Sequence, residues 1–208
     1  MEKKQVLAFD LGRVLFDFDY SIALAKIKDK ISVPVARVIK ELFENDFGLS
    51  FEKGLVSSRA FHVYFNDTFG ASLSYEYFAD VWCKIFSPKE EVITLVSALK
   101  RAYPLYLISN INQLHFDYLY QTYPQVFGHF RAWILSYKIK SVKPEKAIYQ
   151  ALSDIAATEF ENIIYIDDRK DLITKAKDFN LQCLQFTNLN QLLRDLDNLD
   201  ISLPHLRQ

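Results

Sequence analysis

Short apolar runs alternate along the chain with segments of helical period. The runs "VLAF" (6–9), "LYLIS" (105–109), "AWILS" (132–136), "IIYI" (163–166) and "LQCLQF" (181–186) predict strands. Between them, Val92, Leu95, Val96 and Leu99 fall at i, i+3, i+4 and i+7, and Ile148, Ala151, Leu152 and Ile155 repeat that spacing. Each set predicts an amphipathic helix. Pro88 and Pro144 are expected at the first turns of these two helices, where a missing N–H costs nothing. Strands alternating with helices in this way predict a parallel sheet covered on both faces.

Residues 20–86 break the pattern. They contain no convincing strand, several helical stretches and a dense aromatic set running from Phe43 to Phe86, in which Phe61, Tyr64 and Phe65 have helix spacing. These rings are expected to fill the core of a small helical unit. The predicted organisation is therefore an α/β, Rossmann-like core of residues 1–16 and 89–208, with a helical cap over 17–88 inserted after the first strand. Repeats, low-complexity tracts and Pro/Gly-rich linkers are absent from the sequence.

Composition narrows the class of partner. The 208 residues hold one domain with a modest insertion, and the net charge of -1 supplies no basic field for nucleic acid. The apolar runs are too short to cross a bilayer, and the N-terminus has no signal-type pattern, so a cytoplasmic protein without membrane partners is expected, as monomer or dimer. Cys83 and Cys183 read as two reduced thiols. His62, His115, His129 and His205 show no ligand spacing and read as surface or boundary residues.

In open α/β sheets, ligands bind beyond the carboxyl ends of the strands. Asp10 ends the first strand, Ser109 and Asn110 end "LYLI", Lys143-Pro144 follows "AWILS" across a loop, and Asp167 and Asp168 end "IIYI". Any one of these has an ordinary alternative: a carboxylate or Ser-Asn after a strand is often a helix cap. Together they put three carboxylates, a hydroxyl and an ammonium on one rim, an assortment that suits magnesium and a phosphoryl group. Magnesium takes oxygen ligands, commonly one or two carboxylates with waters and a phosphate oxygen. Asp10 can attack phosphorus, splitting the reaction through an aspartyl-phosphate, while the metal, Lys143 and Ser109 offset phosphoryl charge. Gly12, lacking a Cβ, is expected to let the backbone turn closely around the metal.

The chain resembles the haloacid dehalogenase-like (HAD) hydrolase superfamily. "FDLGRVLFDFD" matches its first motif, "LISN" the second, "VKPEKAIY" the third and "IIYIDD" the fourth, in the family's order and across essentially the whole chain. The resemblance points to the capped phosphatases of subfamily IA, most of all to the bacterial alpha-D-glucose-1-phosphate phosphatase group. It implies Asp10 as nucleophile and metal ligand, with the Gly12 carbonyl and Asp168 completing a magnesium site and Asp167 beside it. It also implies Ser109, Asn110 and Lys143 as phosphate-binding residues.

Two departures stand out. Most phosphatases of the superfamily carry, two residues after the nucleophile, an Asp that protonates the leaving group; this chain has Gly12 there. Relatives often have Asp or Asn at the place of Leu172, whereas Asp171 lies one position early. Asp17, Asp19 and Arg13 stand near the cap junction, and capping, hinge or surface roles are expected for them. The expected function is a magnesium-dependent phosphatase for a small phosphorylated metabolite, plausibly a sugar phosphate. The alternatives are a phosphomutase or dehalogenase of the same fold, or a phosphate-binding protein with weak turnover because Gly12 lacks the acid. A receiver domain of signalling type pairs its carboxylates near the first strand and lacks a large insertion.

Overall fold

The computed structural model describes residues 5–43 and 45–201; His205 and the Phe43 side chain lie outside them. Five parallel strands form the central sheet, in the order β5–β4–β1–β6–β7. They are β1 (Val6–Phe9), β4 (Leu105–Ser109), β5 (Ala132–Leu135), β6 (Ile163–Asp167) and β7 (Gln182–Gln185). The middle three are buried along their whole length, which is why they read as unbroken apolar runs.

Alternation along the strands divides the core in two. Leu7, Phe9, Leu105, Leu107, Ile164 and Ile166 face one layer, covered by α6 (Glu90–Leu99), α7 (Gln113–Thr122), α8 (Pro124–Phe127) and α12 (Leu189–Asn198). Val6, Ala8, Tyr106, Ile108, Ile163 and Tyr165 face the other, under α10 (Lys146–Ala156) and α11 (Lys170–Lys177). Val92, Leu95, Val96 and Leu99 thus lie against one sheet face and Ile148, Ala151 and Leu152 against the other, whereas Ile155, expected in the second stripe, is exposed. Ser136 begins the short α9 (Ser136–Ile139) rather than ending β5.

A second apolar core lies between β1 and β4 in sequence. It is built by α1 (Tyr20–Ile27), α2 (Val35–Phe43), α3 (Asp46–Glu52), α4 (Ser58–Phe69) and α5 (Tyr75–Cys83). Capping sets these helices: the side chains of Asp19, Asn45, Ser57 and Ser74 each accept from a backbone N–H of the first turn. Gly70 ends α4 at φ 60°, a left-handed conformation that favours glycine. Phe65 is fully buried, with ring centroids of Phe69, Phe78 and Trp82 at 4.9, 5.1 and 5.8 Å.

A two-stranded antiparallel ribbon, β2 (Phe16–Phe18) and β3 (Phe86–Pro88), joins this helical unit to the sheet. The sequence pattern gives no sign of it; the boundary expected at 16/17 falls within β2, and that at 88/89 at the end of β3. Pro88 consequently pairs with Phe16 in the ribbon, and Lys89, not Pro88, precedes α6. Pro144 likewise stands before α10, whose cap is Glu145. Both cysteines are free, and no helix among the described residues is long and apolar enough to cross a membrane.

Replacing Phe65 by Ala removes a ring packed against three others and leaves a cavity in this core. The expected loss is about 3–5 kcal/mol, read from urea denaturation. A loss below about 1 kcal/mol would contradict this account of the helical core.

Candidate active site

The carboxyl ends of β1, β4 and β6 deliver Asp10, Ser109 and Asp167 to one edge of the sheet. Asp10 follows β1, its N–H donating to the Ile166 carbonyl at 2.9 Å, and is 8% exposed. Lys143 comes from the loop between α9 and α10 and is buried, with its ammonium between two carboxylates. Its Nζ donates to Asp10 Oδ1 at 2.7 Å and to Asp167 Oδ2 at 2.6 Å. A third, longer bond reaches the Ile108 carbonyl at 3.3 Å, so all three ammonium protons have partners.

Each partner is itself held. Asn110 grips the Lys143 backbone from both sides: Lys143 N–H donates to Asn110 Oδ1 at 2.7 Å, and Asn110 Nδ2 donates to the Lys143 carbonyl at 3.0 Å. The Asn110 side chain, grouped with the phosphate donors on sequence grounds, is thus committed to positioning the lysine. Asp167, fully buried, also accepts from the Tyr165 hydroxyl and from Arg169 N–H at 2.9 Å. Its carboxylate is saturated within the protein. Asp168 is partly exposed beside it. One carboxylate oxygen from each of Asp10, Asp167 and Asp168 lies within 4.8 Å of the others, a grouping able to hold a metal ion.

Burial pushes the Asp10 carboxyl up to about 7; Lys143 opposes that shift and the Asp167 charge adds to it. Burial acts to lower the Lys143 ammonium, but the two carboxylates outweigh it and hold the group above its ordinary range. Asp168 is raised by burial and then by Asp167. The lysine is therefore a fixed cation, whereas burial favours the protonated forms of Asp10 and Asp168.

A cavity of about 180 Å³ opens on this edge, lined by Asp10, Ser109, Lys143, Asp168 and Arg169, with Glu52 of the helical unit on its far side. A second cavity, about 80 Å³, adjoins it between Gly12, Phe18, Tyr20, Asn112 and His115. A third, about 130 Å³, lies among Tyr20, Asn45, Phe51, Phe61 and Trp82. Glu52 lines all three.

A Cβ at Gly12 would stand 3.0 Å from the Phe18 ring, so a side chain there requires that ring to give by a few tenths of an ångström. Arg13 lies over that ring at 4.4 Å, with φ 61°. Asp17 points away to Lys89 at 2.7 Å and Arg13 at 3.6 Å, and Asp19 caps α1 through Ser21 N–H at 2.8 Å. Asp171 pairs with Arg169 and is largely exposed. It does not join the carboxylate group.

Three residues carry more than the sequence reading gave them. His115 is not a surface histidine: it is buried, its Nε2 bonded to the Trp82 carbonyl at 3.1 Å and its Nδ1 to Asn112 Nδ2 at 3.1 Å. Burial lowers it to about 4, so it is a neutral imidazole with both nitrogens engaged. Tyr165 supports Asp167 from inside a strand whose apolar run disguises it. Glu52 ends a seven-residue helix, too short for periodicity to show its direction.

The sheet order, the inserted helices and the edge just described define a HAD-type fold. No family model matches the chain. Solved structures do. A HAD family enzyme from Bacteroides thetaiotaomicron, crystallised with magnesium and inorganic phosphate, superposes with TM-score 0.80 at 24% identity, over 89% of this chain and 95% of that one. A predicted HAD-like family hydrolase from Porphyromonas gingivalis gives 0.82 at 19% identity, over 96% and 98%. L-2-haloacid dehalogenase from Xanthobacter autotrophicus gives 0.64 at 16% identity, over 96% and 85%. This chain shares their fold.

The raised Asp10 carboxyl has a consequence for stability. A group raised in the folded state contributes most below its unfolded value of 3.8 and loses that contribution as pH climbs through about 7. In chelating buffer, the denaturation free energy should therefore fall between pH 5 and pH 8, and Asp10→Asn should flatten that fall. An equal fall in the variant would contradict the assignment.

Proposed function

We propose that this protein is a magnesium-dependent phosphatase that hydrolyses a small phosphorylated metabolite, a sugar phosphate such as glucose 1-phosphate, through an aspartyl-phosphate on Asp10. The observation that carries this reading is the buried Lys143 ammonium shared between Asp10 and Asp167, with Asp168 in reach. Three carboxylates against one ammonium leave negative charge at the edge. Their oxygens are the hard donors that magnesium prefers. Asp10, the Gly12 carbonyl and Asp168 would hold the ion, because the Asp167 oxygens are already engaged by Lys143, Tyr165 and Arg169 N–H. Bound there, magnesium would neutralise phosphate oxygens and lower the Asp10 carboxyl into its ionised form.

The chain's own groups do the rest. Asp10 supplies the attacking oxygen, held in place by Lys143 rather than by solvent. Lys143 and the Ser109 hydroxyl face the cavity where phosphoryl oxygens would sit and offset their charge. The helical unit closes over this edge and excludes bulk water, which strengthens those interactions. The cavity beneath it admits a small ester, and its mixed aromatic and amide lining suits a sugar. The Bacteroides enzyme's complex with magnesium and phosphate supports the ligand classes, at the level of a shared fold.

The lack of an acid at position 12 favours one second reading, a phosphate-binding protein with little turnover. A panel of phosphorylated metabolites separates the two. Magnesium-dependent phosphate release is expected for at least one sugar phosphate, lost on chelation and reduced more than about 10³-fold by Asp10→Asn, whose amide is a poor nucleophile. Phosphate or ester binding without release from any member would support the binding protein.

A further inference from the structure

We propose that Glu52, presented by the last turn of α3, is the general acid and base for phosphoryl transfer at Asp10, the role that position 12 cannot fill. This assignment rests on the phosphatase reading above and names a residue for it.

Gly12 carries no acid, and the Phe18 ring lies 3.0 Å from where its Cβ would stand. Asp17 is ion-paired on the ribbon and Asp19 caps α1. His115 has both ring nitrogens bonded and is uncharged. The Tyr20 hydroxyl is driven far above its ordinary range, first by burial and then by the Glu52 charge, and is a weak acid for this purpose. Asp167 is saturated, and Asp10 and Asp168 belong to the metal and phosphoryl groups. Among the described residues, Glu52 is the carboxylate of the helical unit that lines the cavity.

Its placement suits the task. Glu52 stands where the phosphoryl cavity meets the two cavities beneath the cap, which is where the oxygen linking phosphorus to the organic group would lie. The backbone around it is tied to the core. The Ser136 hydroxyl reaches the Glu52 carbonyl at 2.7 Å, Lys140 Nζ donates to the Gly54 carbonyl at 2.6 Å, and Lys53 pairs with Glu145 at 2.6 Å. These bonds hold the carboxyl over the Asp10 edge. Burial also raises its affinity for a proton, opposed by Arg169 and Lys143, a balance suited to giving a proton and taking one back.

The two half-reactions balance. In the first, an Asp10 oxygen bonds to phosphorus, the bond from phosphorus to the ester oxygen breaks, and that oxygen takes the Glu52 proton to leave as an alcohol. In the second, the Glu52 carboxylate takes a proton from water as the water oxygen attacks phosphorus. The acyl phosphate bond breaks, Asp10 is restored, inorganic phosphate departs and Glu52 is protonated again.

The test compares wild type, Glu52→Gln and Glu52→Asp on alkyl phosphates and 4-nitrophenyl phosphate, with acid-quench mass spectrometry for phosphorylated Asp10. Glu52→Gln should lower kcat/KM for alkyl esters about 10²–10⁴-fold and for the nitrophenyl ester far less, because nitrophenolate leaves without a proton. It should also accumulate phosphorylated Asp10 on the nitrophenyl ester, since the second step lacks its base. Glu52→Asp should fall between, and it carries the test if the Gln variant does not fold. An equal loss on every ester, expressed in KM with no phosphoenzyme, would make Glu52 a substrate-binding group and overturn the assignment. Wild-type hydrolysis with an unaffected Glu52→Gln would overturn it while leaving the phosphatase reading intact. Wild type inactive on every ester would remove both.

Discussion

The ammonium of Lys143 is the constraint on which the site depends. A buried cation is costly unless it is paired and fully hydrogen-bonded. Here that demand is met by Asp10, Asp167 and the Ile108 carbonyl, groups from three neighbouring strands. The lysine can serve all three only if β1, β4 and β6 end level, which the parallel registers of β1 with both its neighbours ensure. Asn110 then fixes the lysine's backbone, and Tyr165 with Arg169 N–H fixes the inner carboxylate. What remains pointing outward is one reactive carboxylate, Asp10, beside a partly exposed one, Asp168.

The helical unit completes the site by covering it. Its aromatic core meets α7 through Leu114 and His115, and its α3 end is bonded to the α/β core through Ser136, Lys140 and Glu145. Those bonds hold the α3 end, with Glu52, beside an edge otherwise made by sheet loops. A sheet edge supplies charge with little shape, whereas the cap supplies shape with little charge. On the proposed function, recognition of the organic half of a substrate falls to the cap, and attack on phosphorus to the edge.

Much of this was legible from the chain, for definite reasons. Strands buried on both faces are written as continuous apolar runs, so "VLAF", "LYLIS" and "IIYI" stood out, and a polar residue ending such a run lands on the ligand-binding edge. Helices with one apolar stripe were equally plain. Other features are decided by tertiary contact. Three-residue strands such as β2 and β3 are too short for period-two alternation, and Pro88 reads as a helix starter until its partner Phe16 is known. His115 is one histidine on a helix, and only the packing of Trp82 and Asn112 around it shows that it is buried and neutral. Gly12 advertised a missing acid, but the close approach of the Phe18 ring to it depends on a ribbon the pattern does not reveal.

The most direct test of the central claim is a crystal structure of the protein grown with magnesium and beryllium fluoride, a mimic of phosphorylated aspartate. The account predicts beryllium bonded to an Asp10 oxygen, its fluorides facing Lys143 and Ser109, and magnesium bound by Asp10, the Gly12 carbonyl and Asp168 at about 2.0–2.1 Å. Magnesium and fluoride bound elsewhere, with the Lys143 bonds to Asp10 and Asp167 unchanged and this edge empty, would contradict it.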